Sequence, residues 1–78
     1  MRIAVIDMEA TCKNLKRICT EKGYGISRLQ HELGLESRQA IYKWFSGKSI
    51  PGIDNLILIS ELLGITLDEL IIRKYIDL

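Results

Sequence analysis

The sequence predicts an all-α fold, a compact bundle of five helices preceded by a short extended arm. Three observations carry that prediction. Five helix signals follow one another, each punctuated by glycine, proline or a capping residue. Within them, apolar residues recur at the three- and four-residue spacing of a buried helical stripe. Finally, the 78 residues are 47% hydrophobic and 27% charged, the composition of a soluble globular unit, and no repeat or low-complexity linker divides them. The expected organisation is a single domain over 1–78, with a core at about 7–72, an N-terminal arm at 1–6 and a C-terminal tail at 73–78.

The first helix is expected from Asp7, a good N-cap, to Lys22, with Gly23 as its stop and Met8, Cys12, Leu15, Ile18 and Cys19 as its inner stripe. Ahead of it, Ile3 to Ile6 is β-branched and apolar, so it forms either a short strand or an extended packed arm. A second helix starts after Gly25 and ends at Leu33, burying Ile26, Leu29 and Leu33, and Gly34 forces a turn. The third follows Ser37, whose hydroxyl is placed to cap the first turn, and ends at Gly47. The fourth opens after Pro51 and Gly52 and closes at Gly64. Its density of Ile and Leu predicts the central element that the others surround. Thr66-Leu67-Asp68-Glu69 reads as a capping box that starts a fifth helix, with Leu67, Leu70 and Ile71 closing the core. Ile72, Tyr75, Ile76 and Leu78 are then left over, an apolar surplus that invites a partner.

Composition excludes several classes of function. No apolar run approaches the roughly 18 residues that cross a bilayer, and Ile3 to Ile6 is too short for the apolar part of a signal peptide, so a cytoplasmic protein is expected. Cys12 and Cys19 lie seven residues apart on one helix, about 10.5 Å, too far to bond to each other, and read as small buried apolar residues. With His31 as the lone histidine, no zinc site or Cys-His nucleophile is indicated; no enzyme, cofactor, metal or small-molecule substrate is expected. The net charge of +1 conceals an uneven distribution. Residues 13–48 carry eight basic groups against three acids, a local +5, whereas residues 49–78 carry two against five, a local −3. A polyanion would meet the middle segment first.

That middle segment, ISRLQHELGLESRQAIYKWFSG, supplies two short helices joined by a tight glycine-containing turn, the pattern of a helix-turn-helix. On a wheel of the third helix, Ile41, Trp44 and Phe45 gather on one side as core residues, and the Trp44 indole N–H should find a partner within the protein. The other side offers Gln39, Tyr42, Lys43 and Ser46, with Ser37 and Arg38 at the exposed start. Glutamine can bond bidentately to adenine, and arginine or lysine to guanine, so Ser37, Arg38, Gln39, Tyr42 and Lys43 are the candidate base-reading set. Candidate phosphate contacts are Ser27 and Arg28 at the start of the second helix, Ser46, Lys48 and Ser49 at the end of the third, and Asn55 in the first turn of the fourth.

The Glu32-Leu33-Gly34 turn, Ile41-Tyr42-Lys43-Trp44, Gly47-Lys48 followed by Pro51, and LLGITLDEL ending at Leu70 together resemble the lambda repressor-like, Cro/C1-type (Xre family) helix-turn-helix domain over about residues 7–72. The resemblance implies a five-helix bundle whose third helix reads operator DNA, usually as a homodimer regulating transcription in a bacterium or its phage. Gln30 departs from the pattern, standing four residues before Gly34 where a small alanine is typical, so the two helices separate slightly or Gln30 points outward. The expected function is a sequence-specific DNA-binding transcriptional regulator, repressor-like, with double-stranded DNA and a second copy as partners. The rival reading is a protein-interaction module or antitoxin that uses Ile72, Tyr75, Ile76 and Leu78 to bind another protein.

Overall fold

The computed structural model describes all residues, 1–78. Five helices form in the expected order: α1 (Met8–Glu21), α2 (Ile26–Leu33), α3 (Gln39–Phe45), α4 (Ile53–Leu63) and α5 (Leu67–Leu70). They are flanked by two strands, β1 (Arg2–Ile6) and β2 (Arg73–Asp77), which pair antiparallel with Arg2 opposite Asp77 and Ile6 opposite Arg73. The fold is therefore mostly helical and not all-α. The correction has a physical basis: arm and tail each end with exposed backbone donors and acceptors, and pairing the two satisfies one edge of each.

Local chemistry explains the helix ends. Asp7 caps α1 by accepting from the Ala10 N–H at 3.0 Å. Gly34 and Gly64 close α2 and α4 in the left-handed conformation, φ +67° in both, which glycine adopts without a Cβ penalty. The Thr66–Glu69 capping box is present in both directions. Ser37 differs from expectation: α3 begins at Gln39, Arg38 occupies the cap position with helical backbone angles, and no side chain caps the helix. The turn after Gly34 continues one residue further than the Ser37 cap would allow.

Ten residues form the core: Leu15, Ile18 and Cys19 from α1, Leu29 from α2, Ile41 and Trp44 from α3, Leu56, Ile59 and Leu63 from α4, and Leu70 from α5. The cysteine thiols are free, and burial pushes both up, Cys19 to about 11. Cys12 also donates from Sγ to the Ser49 carbonyl at 3.4 Å, tying α1 to the segment after α3. Three core expectations need correction. Met8 is exposed at the helix start, and Thr11 takes its place inside. The α4 helix is not surrounded: Leu56, Ile59 and Leu63 are buried, but Ile53, Ile57 and Leu58 face outward, because five short helices leave one side of it uncovered. Trp44 is buried, yet its indole N–H makes no hydrogen bond within the protein. No buried polar side-chain atom is unpaired, so that N–H reaches the surface.

Polar groups of α1 hold the exit of α5. The Thr11 hydroxyl donates to the Ile72 carbonyl at 3.3 Å and accepts from the Ile72 N–H at 2.9 Å, and Asn14 Nδ2 donates to the Glu69 and Leu70 carbonyls at 2.9 and 3.0 Å. The Asp7 N–H adds a bond to the Ile72 carbonyl at 2.8 Å. These contacts end α5 after one turn and aim the chain into β2. The resulting molecule measures 43 × 23 × 21 Å.

Candidate nucleic-acid interface

The α3 helix is seven residues long, and its two sides differ sharply. Ile41 is wholly buried and Trp44 nearly so, while Phe45 is half-buried against the core. On the other side, Gln39, Tyr42 and Lys43 are exposed, Tyr42 by 53%. Ser37 and Arg38 are exposed just ahead of the helix, so the base-reading candidates occupy one continuous uncovered segment. No other part of the chain is bonded across Gln39, Tyr42 or Lys43 through their side chains.

Arg38 is the exception among the five. Its Nε donates to Gln30 Oε1 at 3.0 Å and its Nη2 to Ser27 Oγ at 2.6 Å. The guanidinium therefore straps the start of α3 to the exposed side of α2, leaving its remaining N–H donors outward. Gln30 completes the strap, since its Nε2 donates to the Leu35 carbonyl at 3.4 Å. The expectation of a slight helix separation or an outward Gln30 resolves into a half-buried side chain that bonds the turn on one side and Arg38 on the other. Sequence reasoning missed Gln30 as a positioning residue; an amide where alanine is usual, eight residues before an arginine, was the available signal.

The phosphate candidates lie around this segment in different states. Ser27 accepts from Arg38, as above. Arg28 is held by a stacked contact, its guanidinium carbon 3.9 Å from the centre of the Tyr24 ring, and its Nη1 donates to the Gly23 carbonyl at 3.3 Å. Beyond α3 the chain folds back on Lys43: the Ser46 hydroxyl donates to the Lys43 carbonyl at 3.2 Å, and the backbone N–H groups of Lys48 and Ser49 reach the same carbonyl at 2.9 and 3.4 Å. Lys48 is exposed and Ser49 half-buried. Asn55 is half-buried in the first turn of α4, next to Gly52, which provides no side-chain cap.

The α2–turn–α3 unit thus joins a buried helix face to an outward polar edge, which is the division of labour a groove-reading helix requires. No curated protein and no solved structure matches the chain. The family model described as helix-turn-helix matches residues 15–70, which contain α2, the turn, α3, α4 and α5 whole, together with the second half of α1. That span, most of the chain and centred on the geometry above, makes the chain a member of the Cro/C1-type (Xre) helix-turn-helix family of DNA-binding transcription regulators.

Proposed function

We propose that this chain is a sequence-specific, repressor-like regulator that lays the 37–46 segment in the major groove of a pseudo-palindromic operator and acts as a homodimer in the cytoplasm. Ser37, Arg38, Gln39, Tyr42 and Lys43 read base edges in this scheme, and Ser27, Arg28, Ser46, Lys48, Ser49 and Asn55 set the register through phosphates. The observation that supports the reading is the uncovered edge of α3, since Ile41 and Trp44 fix the helix from within while Gln39, Tyr42 and Lys43 are exposed and make no side-chain hydrogen bond within the protein. Gln39 leads, having both amide groups free for adenine. Arg38 combines two tasks, holding α3 against α2 with two donors and offering the rest to a base or phosphate.

Selection of bound duplexes from random DNA, sequenced at two salt concentrations, tests this directly. The expected result is a two-fold-symmetric motif whose affinity falls steeply with salt. The same motif recovered after replacing Arg38, Gln39 and Lys43 together with alanine would refute α3 as the reading helix.

A further inference from the structure

We infer that the free edge of β2 is the homodimer contact, pairing with the same strand of a second copy about a two-fold axis at Tyr75 to give a four-stranded sheet in the order β1-β2-β2-β1. The inference rests on the homodimer reading above and supplies its interface. Its starting point is an anomaly. The ribbon of β1 and β2 packs chiefly on itself while the helices pack on one another, and every residue in it except Val5 is exposed. A two-stranded ribbon bare on both faces is marginal in water, and further strands are what stabilise it.

Hydrogen bonding fixes which groups are unused. The Leu78 N–H donates to the Met1 carbonyl at 2.7 Å, the Met1 amino group to the Leu78 carbonyl at 3.1 Å, and the Asp7 N–H to the Ile72 carbonyl at 2.8 Å. With the register of the pair, these bonds turn the backbone groups of Ile72, Lys74, Ile76 and Leu78 towards β1. Arg73, Tyr75 and Asp77 therefore present their N–H and C=O groups to the opposite, empty edge. No proline or bulge blocks that edge, so it retains the full capacity of an edge strand to recruit another.

The edge is complementary to itself in one register. Centred on Tyr75, antiparallel pairing sets Arg73 of one copy opposite Asp77 of the other, twice by symmetry, with the two tyrosines meeting on the axis. Every outward backbone group of the strand is then used. Asp77 lies opposite Arg2 of its own β1, so the partner's Arg73 would be its second cation. Arg73 already donates to Asp68 at 2.5 Å and keeps further guanidinium donors for the incoming carboxylate. Moving the centre to Lys74 would oppose two ammonium groups, and moving it to Ile76 would strand both Arg73 side chains. The corresponding β1 pairing, centred on Ala4, would set Arg2 against Ile6 and offer no ion pair. Charge complementarity therefore selects β2.

Sedimentation of the full chain and of variants tests the contact. Wild type is expected to dimerise with rising concentration, and Asp77→Arg and Arg73→Asp are each expected to weaken self-association by about tenfold, since like charges then face each other at both ends. Mixing these two variants in equal amounts should restore a dimer, because each supplies the charges the other lacks. Tyr75→Pro, which removes an outward amide and none that faces β1, should abolish pairing without lowering the melting temperature of the helices. Wild type that stays monomeric both free and on its operator would overturn the inference. Single variants that dimerise like wild type would do so as well, and would move the contact to Ile53, Ile57 and Leu58 on α4 or elsewhere. DNA binding measured alongside by anisotropy separates the readings: a dimer that obeys these rules but ignores DNA defeats the α3 assignment alone, whereas a protein that binds DNA only as a monomer defeats the strand contact together with the homodimer reading and leaves the α3 assignment standing.

Discussion

The helical body and the two-stranded ribbon use similar apolar residues to opposite ends. In the body, Leu29, Ile41, Ile59 and Leu70 are wholly buried, so the internal side of α3 is fixed before any partner arrives. In the ribbon, Ile3, Ile6 and Ile76 remain exposed by 38 to 44%, and the strands are joined by backbone pairing and by the Arg2 guanidinium, 4.2 Å from the centre of the Tyr75 ring. Hydropathy alone therefore does not locate a core. What decides burial is whether a neighbouring element covers the same face, and the ribbon has none within the chain.

The sharpest way to break this comparison is to remove equal amounts of apolar side chain from each region. Ile41→Ala should cost about 2 to 5 kcal/mol of unfolding free energy, because the cavity forms where α2, α3 and α4 cannot collapse together. Ile76→Ala, outside the core and already 44% exposed, should cost less, about 1 kcal/mol or below, in the monomer. Urea titrations at low protein concentration measure both. Equal losses would show that the ribbon packs on the body in solution.

Within the helix-turn-helix the same contrast recurs between a free and a held side chain. Gln39→Ala should lose about 1 to 3 kcal/mol of base discrimination and leave stability unchanged, as its side chain has no partner to lose. Arg38→Ala should lower DNA affinity and also loosen the strap to Gln30 and Ser27. Gln30→Ala sharpens the distinction: it releases Arg38 while preserving every outward side chain, so its effect on affinity should be smaller than that of Arg38→Ala. Competition binding against single-base operator variants reads the three together. An operator preference shifted as strongly by Gln30→Ala as by Gln39→Ala would make positioning, not direct reading, the main source of specificity.

Most of the helical body was legible from residue spacing and punctuation. Gly25, Gly34, Pro51, Gly52 and Gly64 mark boundaries that the backbone respects, since a left-handed turn or a missing amide is a local event. The capping box was legible for the same reason. Pairing of β1 with β2 was not, because it joins residues at opposite ends of the chain and no local pattern encodes the partner of a strand. Thr11 was missed for a related reason: its value lies in two bonds to Ile72, 61 positions away, although its place between Met8 and Leu15 on the inner side of α1 was visible. The exposed edge of α3 followed from its wheel, whereas the Arg38–Gln30–Ser27 strap depends on how α2 and α3 cross.

The junction between body and ribbon gives an intermediate effect. Thr66→Ala removes a hydroxyl that accepts from the Glu69 N–H at 3.1 Å, half of the capping box that starts α5. The expected cost is about 1 kcal/mol. Because α5 is a single turn anchored to α1 by Thr11 and Asn14, amide exchange should rise first at Ile71 and Ile72 and then in β2. Protection unchanged in β2 would mean that the ribbon is held independently of the helix that leads into it.

Lys48→Ala should give the smallest change, and it tests whether the end of α3 acts through charge alone. Lys48 is exposed, and its backbone N–H, not its side chain, is bonded to the Lys43 carbonyl at 2.9 Å, so truncation leaves the local fold intact. A single phosphate contact contributes to affinity by releasing condensed counterions, and this release is nearly blind to sequence. Its loss should weaken all duplexes by a similar factor and flatten the plot of log affinity against log salt by about 0.9. Gln39→Ala should do the reverse, changing the ranking of duplexes while preserving the slope. If Lys48→Ala instead reorders the duplexes, the side chain reaches a base, and the reading surface extends past the helix into the segment that folds back on Lys43.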